Sequence, residues 1–267
     1  MRRALLGGAI AAVVASAAVP LLLIAKQAMT PERESFAWPP AWLPHEPTLE
    51  NFRHVLAGAE LFGGLVRSVG VAAATVISTL ALTLPAAWLG ARAPAVGRRL
   101  DAVLVLTRVL PSIAIAVPLA VLFVRAGLYN DPSALGLWLA HTLLGLPLAF
   151  FVLRAAFAAV PVELEQAARL DGASALGAFV RVSMPLARPA LATASLLVFL
   201  LSWDEFAFAL LLQVTNRTLP PLLYYLSAFG FPGLSSALAA IMVLPALVIV
   251  ILLEPAFRSG LLAGSGR

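Results

Sequence analysis

The sequence predicts an all-α integral membrane protein of about six transmembrane helices, and three observations carry that prediction. Of 267 residues, 61% are hydrophobic and 12% charged, against about 25% charged in ordinary soluble domains, and the mean hydropathy is +0.97. The apolar residues fall in long runs of the roughly 17 to 25 residues that a helix needs to cross hydrocarbon, where lipid offers the backbone no hydrogen bonds. The charged residues lie mostly between these runs. A soluble globule is excluded.

In chain order the runs cover 4–25, 62–89, 102–124, 134–153, 190–213 and 236–257. The first follows Arg2 and Arg3 and contains Ala15-Ser16-Ala17, a pattern shared with cleavable signal peptides. Its apolar run continues to Ile24, beyond the roughly 7 to 15 residues of a signal core, so it is read as a span, with cleavage as the alternative. The second is long enough to tilt or to begin outside the hydrocarbon. The third carries Arg108, whose long side chain can snorkel to the interface; Arg67 and Arg125 lie near span ends. In the fourth, His141 has no second histidine or acidic partner at ligand spacing and is read as packing, not as a metal ligand. Pro85, Pro111, Pro118, Pro147 and Pro245 interrupt spans, and each either kinks its helix or is absorbed by neighbours.

Six alternating spans put Arg2, Arg3, Arg92, Arg98, Arg99, Arg154, Arg169, Arg181, Arg188, Arg258 and Arg267 on one side of the membrane. Lys26, Arg33, Arg53 and Arg217 fall on the other. The positive-inside rule then predicts that both termini are cytoplasmic. The expected organisation is 1–60 for the first helix and an extracytoplasmic connector, 61–258 for the transmembrane domain with a cytoplasmic loop at 154–188, and 259–267 for a cytoplasmic tail. The net charge of +5 and pI near 10.7 do not point to nucleic acid, because the basic residues flank apolar blocks instead of forming a stripe. With no cysteine, disulfides, thiolate metal sites and cysteine nucleophiles are ruled out. The single lysine, Lys26, lies outside any Gly-Lys-Ser/Thr phosphate loop, so an ATP-driven role requires a partner to hold ATP and Mg, with no cofactor in this chain.

Two connections are long. Residues 26–60 hold Pro31, Pro39, Pro40, Pro44 and Pro47 beside Trp38 and Trp42; they read as a proline-stiffened connector or as part of a docking surface for an external protein. In the second, Pro161 suits the first turn of a helix, Glu163 and Glu165 suit its positive end, and Gln166-Ala167-Ala168-Arg169-Leu170 are good helix formers. A short helix is expected over 161–170. Asp171-Gly172 stops it, since glycine accepts the left-handed conformation, and Ser174 caps a second short helix carrying Leu176, Phe179 and Val180. Pro185 and Pro189 mark the return to the bilayer.

The segment Glu165-Gln166-Ala167-Ala168-Arg169-Leu170-Asp171-Gly172-Ala173, followed by Val182-Ser183-Met184-Pro185, resembles the EAA loop of ABC importer permeases. Leu146-Pro147-Leu148-Ala149-Phe150-Phe151, Ser202-Trp203-Asp204-Glu205-Phe206, Asn216-Arg217-Thr218-Leu219-Pro220 and Pro47-Thr48-Leu49-Glu50-Asn51-Phe52 are similar to segments of the carbohydrate group, including the smaller permease of the maltose and glycerol phosphate systems. The resemblance implies the type I importer transmembrane fold. It also implies an ABC ATPase dimer, a second homologous permease subunit and an extracytoplasmic solute-binding protein as partners, in a bacterial inner membrane. Glu165, Gln166, Ala167, Ala168, Asp171, Gly172 and Pro185 are then the ATPase-coupling residues. Gln166 stands where the family usually has glutamate directly before the alanine pair, which weakens or shifts a contact with an ATPase arginine.

Asp204 and Glu205 fall inside the fifth run, where an ionised carboxylate is expensive and faces protein or a wet cavity. Either one of them lines the translocation pathway beside Trp203, whose ring is able to stack on a sugar, or both pair with donors that fix helix packing. Residues adjacent on a helix point about 100° apart, so the two do not share one lumen. The alternative classes are a self-sufficient secondary transporter or channel, which calls for an inverted repeat or a chain of intramembrane acids, and an intramembrane enzyme, for which no catalytic motif is present.

Overall fold

A computed structural model describes the backbone of residues 2–264 and the side chains of residues 6–249 and 251. Among the described residues there is no strand. The helices are α1 (Arg2–Ala28), α2 (Glu32–Ser35), α3 (Glu50–Ala57), α4 (Ala59–Arg92), α5 (Pro94–Leu106), α6 (Ser112–Ala126) and α7 (Leu135–Ala159). They continue as α8 (Val162–Leu170), α9 (Ala175–Ala178), a π-helical turn (Phe179–Ser183), α10 (Met184–Leu186), α11 (Arg188–Trp203), α12 (Ala207–Leu212), α13 (Leu219–Ala228) and α14 (Pro232–Gly264). The end of the expected tail, residues 265–267, lies outside the described residues.

Among these, α1, α4, α7 and α14 are each long and apolar enough to cross a membrane, and the segments Ala175–Leu186 and Arg188–Trp203, bent by 77° at their junction, qualify together. The expected third span is not one helix. It is divided at 107–111, where Pro111 lies in extended conformation at the N-cap of α6 and, lacking an N–H, cannot carry a helical hydrogen bond onward. The Thr107 hydroxyl turns back to the Leu104 carbonyl at 2.7 Å. Arg108 is exposed and donates to the Leu144 carbonyl of α7 at 2.8 Å. Pro85, Pro118 and Pro147, by contrast, lie inside unbroken helices. The expected fifth span is also divided, into α11 and α12, and α13 is a further ten-residue apolar helix between the expected fifth and sixth runs.

Two compact units are formed, Met1–Val66 with Leu219–Leu247 and Arg67–Thr218 with Val248–Arg267. In the first, buried Asn51 on α3 donates to the carbonyls of Ala28 at 2.9 Å and Thr30 at 3.0 Å, the end of α1. A Cβ at Gly233 would stand 2.6 Å from the Asn51 amide nitrogen, so the start of α14 approaches α3 at a distance only glycine permits. In the second unit, Phe150, Leu153 and Phe157 of α7 pack with Phe179 and with Val198 of α11 in one apolar core. Phe123, Leu137, Phe208 and Leu212 form another. The first of these cores lies beside the segment that carries α8 and α9, and the second beside the α11–α12 break.

Candidate functional site

The loop that carries α8 and α9 is built as its residue types dictate. Pro161 stands at the N-cap of α8, with Glu163 and Glu165 in the first turn and Arg169 in the last, charges that complement the helix dipole at both ends. Gly172 closes the helix at φ +91°, a conformation open to glycine and strained for other residues. The turn is tied by Gly172 N–H to the Arg169 carbonyl at 3.0 Å and Ala173 N–H to the Ala168 carbonyl at 2.9 Å. Ser174 then caps α9, its hydroxyl oxygen accepting from Gly177 N–H at 3.0 Å. Pro185 sits inside α10 and Pro189 in the first turn of α11. The outer face of this helix–turn–helix presents Gln166, Ala167, Leu170, Asp171, Gly172 and Leu176 to solvent; Leu170 is 89% exposed, while Ala168 and Pro185 are half-buried.

Glu165, grouped by sequence with the docking residues, turns the other way. It is 3% exposed, and its Oε1 accepts from Arg92 Nη2 at 2.6 Å, Arg92 Nε at 3.0 Å and Trp88 Nε1 at 3.1 Å, and from the Ser183 hydroxyl. Arg92 also donates to the carbonyls of Phe157 at 3.0 Å and Val160 at 3.1 Å, where α7 ends and helical carbonyls lack intrahelical partners. In the sequence, Arg92 reads only as a topogenic charge, Ser183 only as part of the Val182-Ser183-Met184-Pro185 resemblance, and Trp88 has no assigned role. The signal available was the spacing of Trp88 and Arg92, which places both on one face of α4.

Burial pushes the Glu165 carboxyl up, but the hydrogen bonds from Arg92, Ser183 and Trp88 and the charge of Arg92 outweigh it and hold the group below its ordinary range. A carboxylate with a lowered folded-state pKa contributes stability that is present above the ordinary range and lost as pH falls through the lowered value. The protection of the α8 amides from hydrogen exchange, corrected for the pH dependence of intrinsic exchange, is therefore expected to persist from neutral pH through the ordinary carboxylate range and to be lost only as pH falls below it.

The second cluster surrounds the α11–α12 break. Trp203 is 2% exposed and stacks on Phe199 with centroids 5.6 Å apart and planes 15° apart. The expectation that its ring stands open to a sugar is corrected: the ring is already packed within the chain. Asp204 is exposed. Glu205 turns inward, accepting from Phe208 N–H at 2.9 Å and Ala209 N–H at 3.1 Å, so it supplies acceptors for the first turn of α12. Its Oε2 lies 3.4 Å from His141 Nε2, and His141 Nδ1 lies 2.8 Å from the Ser202 hydroxyl. The fourth-span histidine thus has an acidic neighbour, one the sequence concealed because it comes from another helix. Among the described residues no three His, Cys, Asp or Glu side chains converge to hold a metal ion.

Residues 83–260, which include both clusters, match the family model described as binding-protein-dependent transport system inner membrane component. The chain belongs to that family. The permease is 34% identical over 231 residues to the trehalose transport system permease protein SugB of Mycobacterium tuberculosis, covering 84% of this chain and 83% of that one. It is 32% identical over 250 residues to the sulfoquinovosyl glycerol transport system permease protein SmoH of Agrobacterium fabrum, covering 92% and 87%. Its fold is similar to a chain in the crystal structure of a bacterial ABC transporter involved in the import of the acidic polysaccharide alginate, with a TM-score of 0.75, 18% identity and 95% coverage of both chains. The permease is thus a multi-pass transport component of the inner membrane.

Proposed function

We propose that this permease forms half of the translocation pathway of an ABC importer for a sugar or related small solute, and that it draws its energy from a separate ATPase docked on the 162–177 loop. The observation that carries this reading is the outward face of that loop: Leu170, Asp171, Gly172 and Leu176 lie exposed on a turn held by its own hydrogen bonds. Leu170 at 89% and Leu176 at 68% exposure give the loop an apolar outer face, and burying it against a partner recovers the hydrophobic free energy that exposure forgoes. Sugar transport names among the relatives support the substrate class.

In this scheme both termini are cytoplasmic, a second permease completes the pathway and an extracytoplasmic binding protein delivers solute. ATP and Mg are bound by the ATPase dimer. Closure of that dimer moves the loop as a rigid body and shifts the spans between inward-open and outward-open arrangements, each ligand biasing the equilibrium by its differential affinity for the two states. Asp204, the exposed member of the α11–α12 break, faces the pathway. Glu205 and Trp203 hold the break in shape from inside the chain. Membership of a binding-protein-dependent system sets aside the self-sufficient transporter.

The chain contains no cysteine, so single introduced thiols test the docking directly. Leu170→Cys in the assembled complex is expected to crosslink to the ATPase in high yield, whereas Trp42→Cys, in the connector assigned to the other side of the membrane, is expected to give none. Absence of an ATPase adduct at position 170, or an adduct at position 42, would place the loop elsewhere.

A further inference from the structure

The coupling loop has to move a membrane span, and α8 packs chiefly on α9 and the π-helical turn, members of its own loop. Its charged tie to a span passes through Glu165. From α8 this side chain points into the protein and meets the last residue of α4, Arg92, through two nitrogens at 2.6 and 3.0 Å. The remaining Arg92 bonds go to the Phe157 and Val160 carbonyls at the end of α7. One planar guanidinium therefore joins the ends of two spans to the loop. Its fork geometry fixes direction as well as distance, which a lysine ammonium on a flexible stem does not. Trp88, one turn earlier on α4, donates to the same carboxylate oxygen at 3.1 Å, so α4 holds Glu165 at two points.

We propose that the Arg92–Glu165 pair is the transmission joint of the permease: the link through which displacement of the loop is carried into α4 and α7. It rests on the proposed docking of the loop to an ATPase and names the positioning residues behind the exposed docking face. The pair is largely buried, with side-chain exposures of 18% for Arg92 and 4% for Glu165. Separating such charges leaves each without compensation in a low-dielectric setting, so the loop and the end of α4 shift together and do not slip past one another. Ser183 donates its hydroxyl to Glu165 from the loop itself and so keeps the carboxylate aligned on the loop side of the joint.

The test uses the full complex of permease, second permease, ATPase and solute-binding protein in liposomes. It compares wild type with Glu165→Gln, Arg92→Met and the double variant, and reads subunit retention, basal ATP hydrolysis and the stimulation of hydrolysis by liganded binding protein. Glu165→Gln keeps an acceptor for Trp88 and Ser183 while removing the charge. The expected result is a complex that retains its ATPase and hydrolyses ATP at a basal rate, with stimulation and solute uptake reduced by about tenfold or more, the scale of a lost coupling free energy. The double variant is expected to be no worse than the more severe single variant, because both substitutions cut one link.

Stimulation within about twofold of wild type in Glu165→Gln, or losses that multiply in the double variant as independent sites do, overturns the joint. If Glu165→Gln fails to assemble, Arg92→Lys decides. It keeps the charge but cannot hold Glu165, Phe157 and Val160 together, and wild-type stimulation in that variant also overturns the proposal. A wild-type permease that retains no ATPase overturns the docking reading itself. A wild type that retains it, beside variants that couple normally, overturns the joint alone.

Discussion

Gly172→Pro is expected to abolish the stimulation of ATP hydrolysis by liganded binding protein in an otherwise assembled complex. Gly172 sits at φ +91°, whereas proline is locked near −65°, so the turn between α8 and α9 cannot form as built. The substitution also removes the N–H that Gly172 donates to the Arg169 carbonyl at 3.0 Å. The strain is local to the turn, since nothing lies within 4 Å of a Cβ built at this position and no neighbouring side chain has to move. Gly172→Ala therefore isolates the backbone cost, about 1 to 2 kcal/mol for a left-handed conformation, and is expected to reduce stimulation several-fold without eliminating it. ATPase measurements in liposomes at saturating binding protein check both variants, and normal stimulation in Gly172→Pro would show that the turn geometry is irrelevant to coupling.

Neighbouring carboxylates in the α11–α12 break are expected to respond in opposite ways. Glu205→Ala removes the acceptor for the Phe208 and Ala209 amides and leaves buried His141 without its acidic neighbour. Each buried polar group left unpaired costs about 1 to 3 kcal/mol, so the variant is expected to show lower yield and a lower Tm in detergent. Asp204 is exposed and closes α11 through its backbone N–H, which donates to the Leu200 carbonyl, so Asp204→Asn is expected to keep the wild-type Tm and to lower solute uptake while binding-protein-stimulated hydrolysis persists. Thermal unfolding and uptake on the same preparations separate the two outcomes. An unstable Asp204→Asn, or a stable Glu205→Ala with normal uptake, would reverse the assignment.

What the sequence made legible follows local rules. Helix α8, its stop at Gly172 and the Ser174 cap are set by residues within a few positions of one another, and cap chemistry and φ preference act at that range. The long spans were legible because hydrocarbon thickness imposes a length. The breaks were not. At 107–111 Pro111 marks an interruption but does not tell whether the neighbouring helices absorb it, as they do at Pro118 and Pro147; at 204–206 the flanking residues stay apolar enough to read as one helix, and the break depends on a contact made in three dimensions, Glu205 bonding the amides of α12 beside His141.

The same limit explains Glu165. Its place beside Gln166 and the alanine pair makes it look like a docking residue, but which face of a nine-residue helix turns inward is decided by the partner waiting there, and Arg92 lies 73 positions away in sequence. Trp203 repeats the lesson. An aromatic ring beside two acids looks like a sugar platform, yet Phe199, one turn earlier on α11, already occupies its face.

If a separate ATPase drives this permease through the loop, solute moves only when that ATPase is present and turning over. The most direct test is uptake of radiolabelled sugar into liposomes containing the permease and its partner permease, with binding protein present, in the presence and absence of the ATPase subunit and ATP. The expected result is uptake that requires ATPase, ATP and liganded binding protein together, and none when any one is withheld. Uptake by the permease pair without the ATPase, driven by the solute gradient or an ion gradient alone, would contradict it.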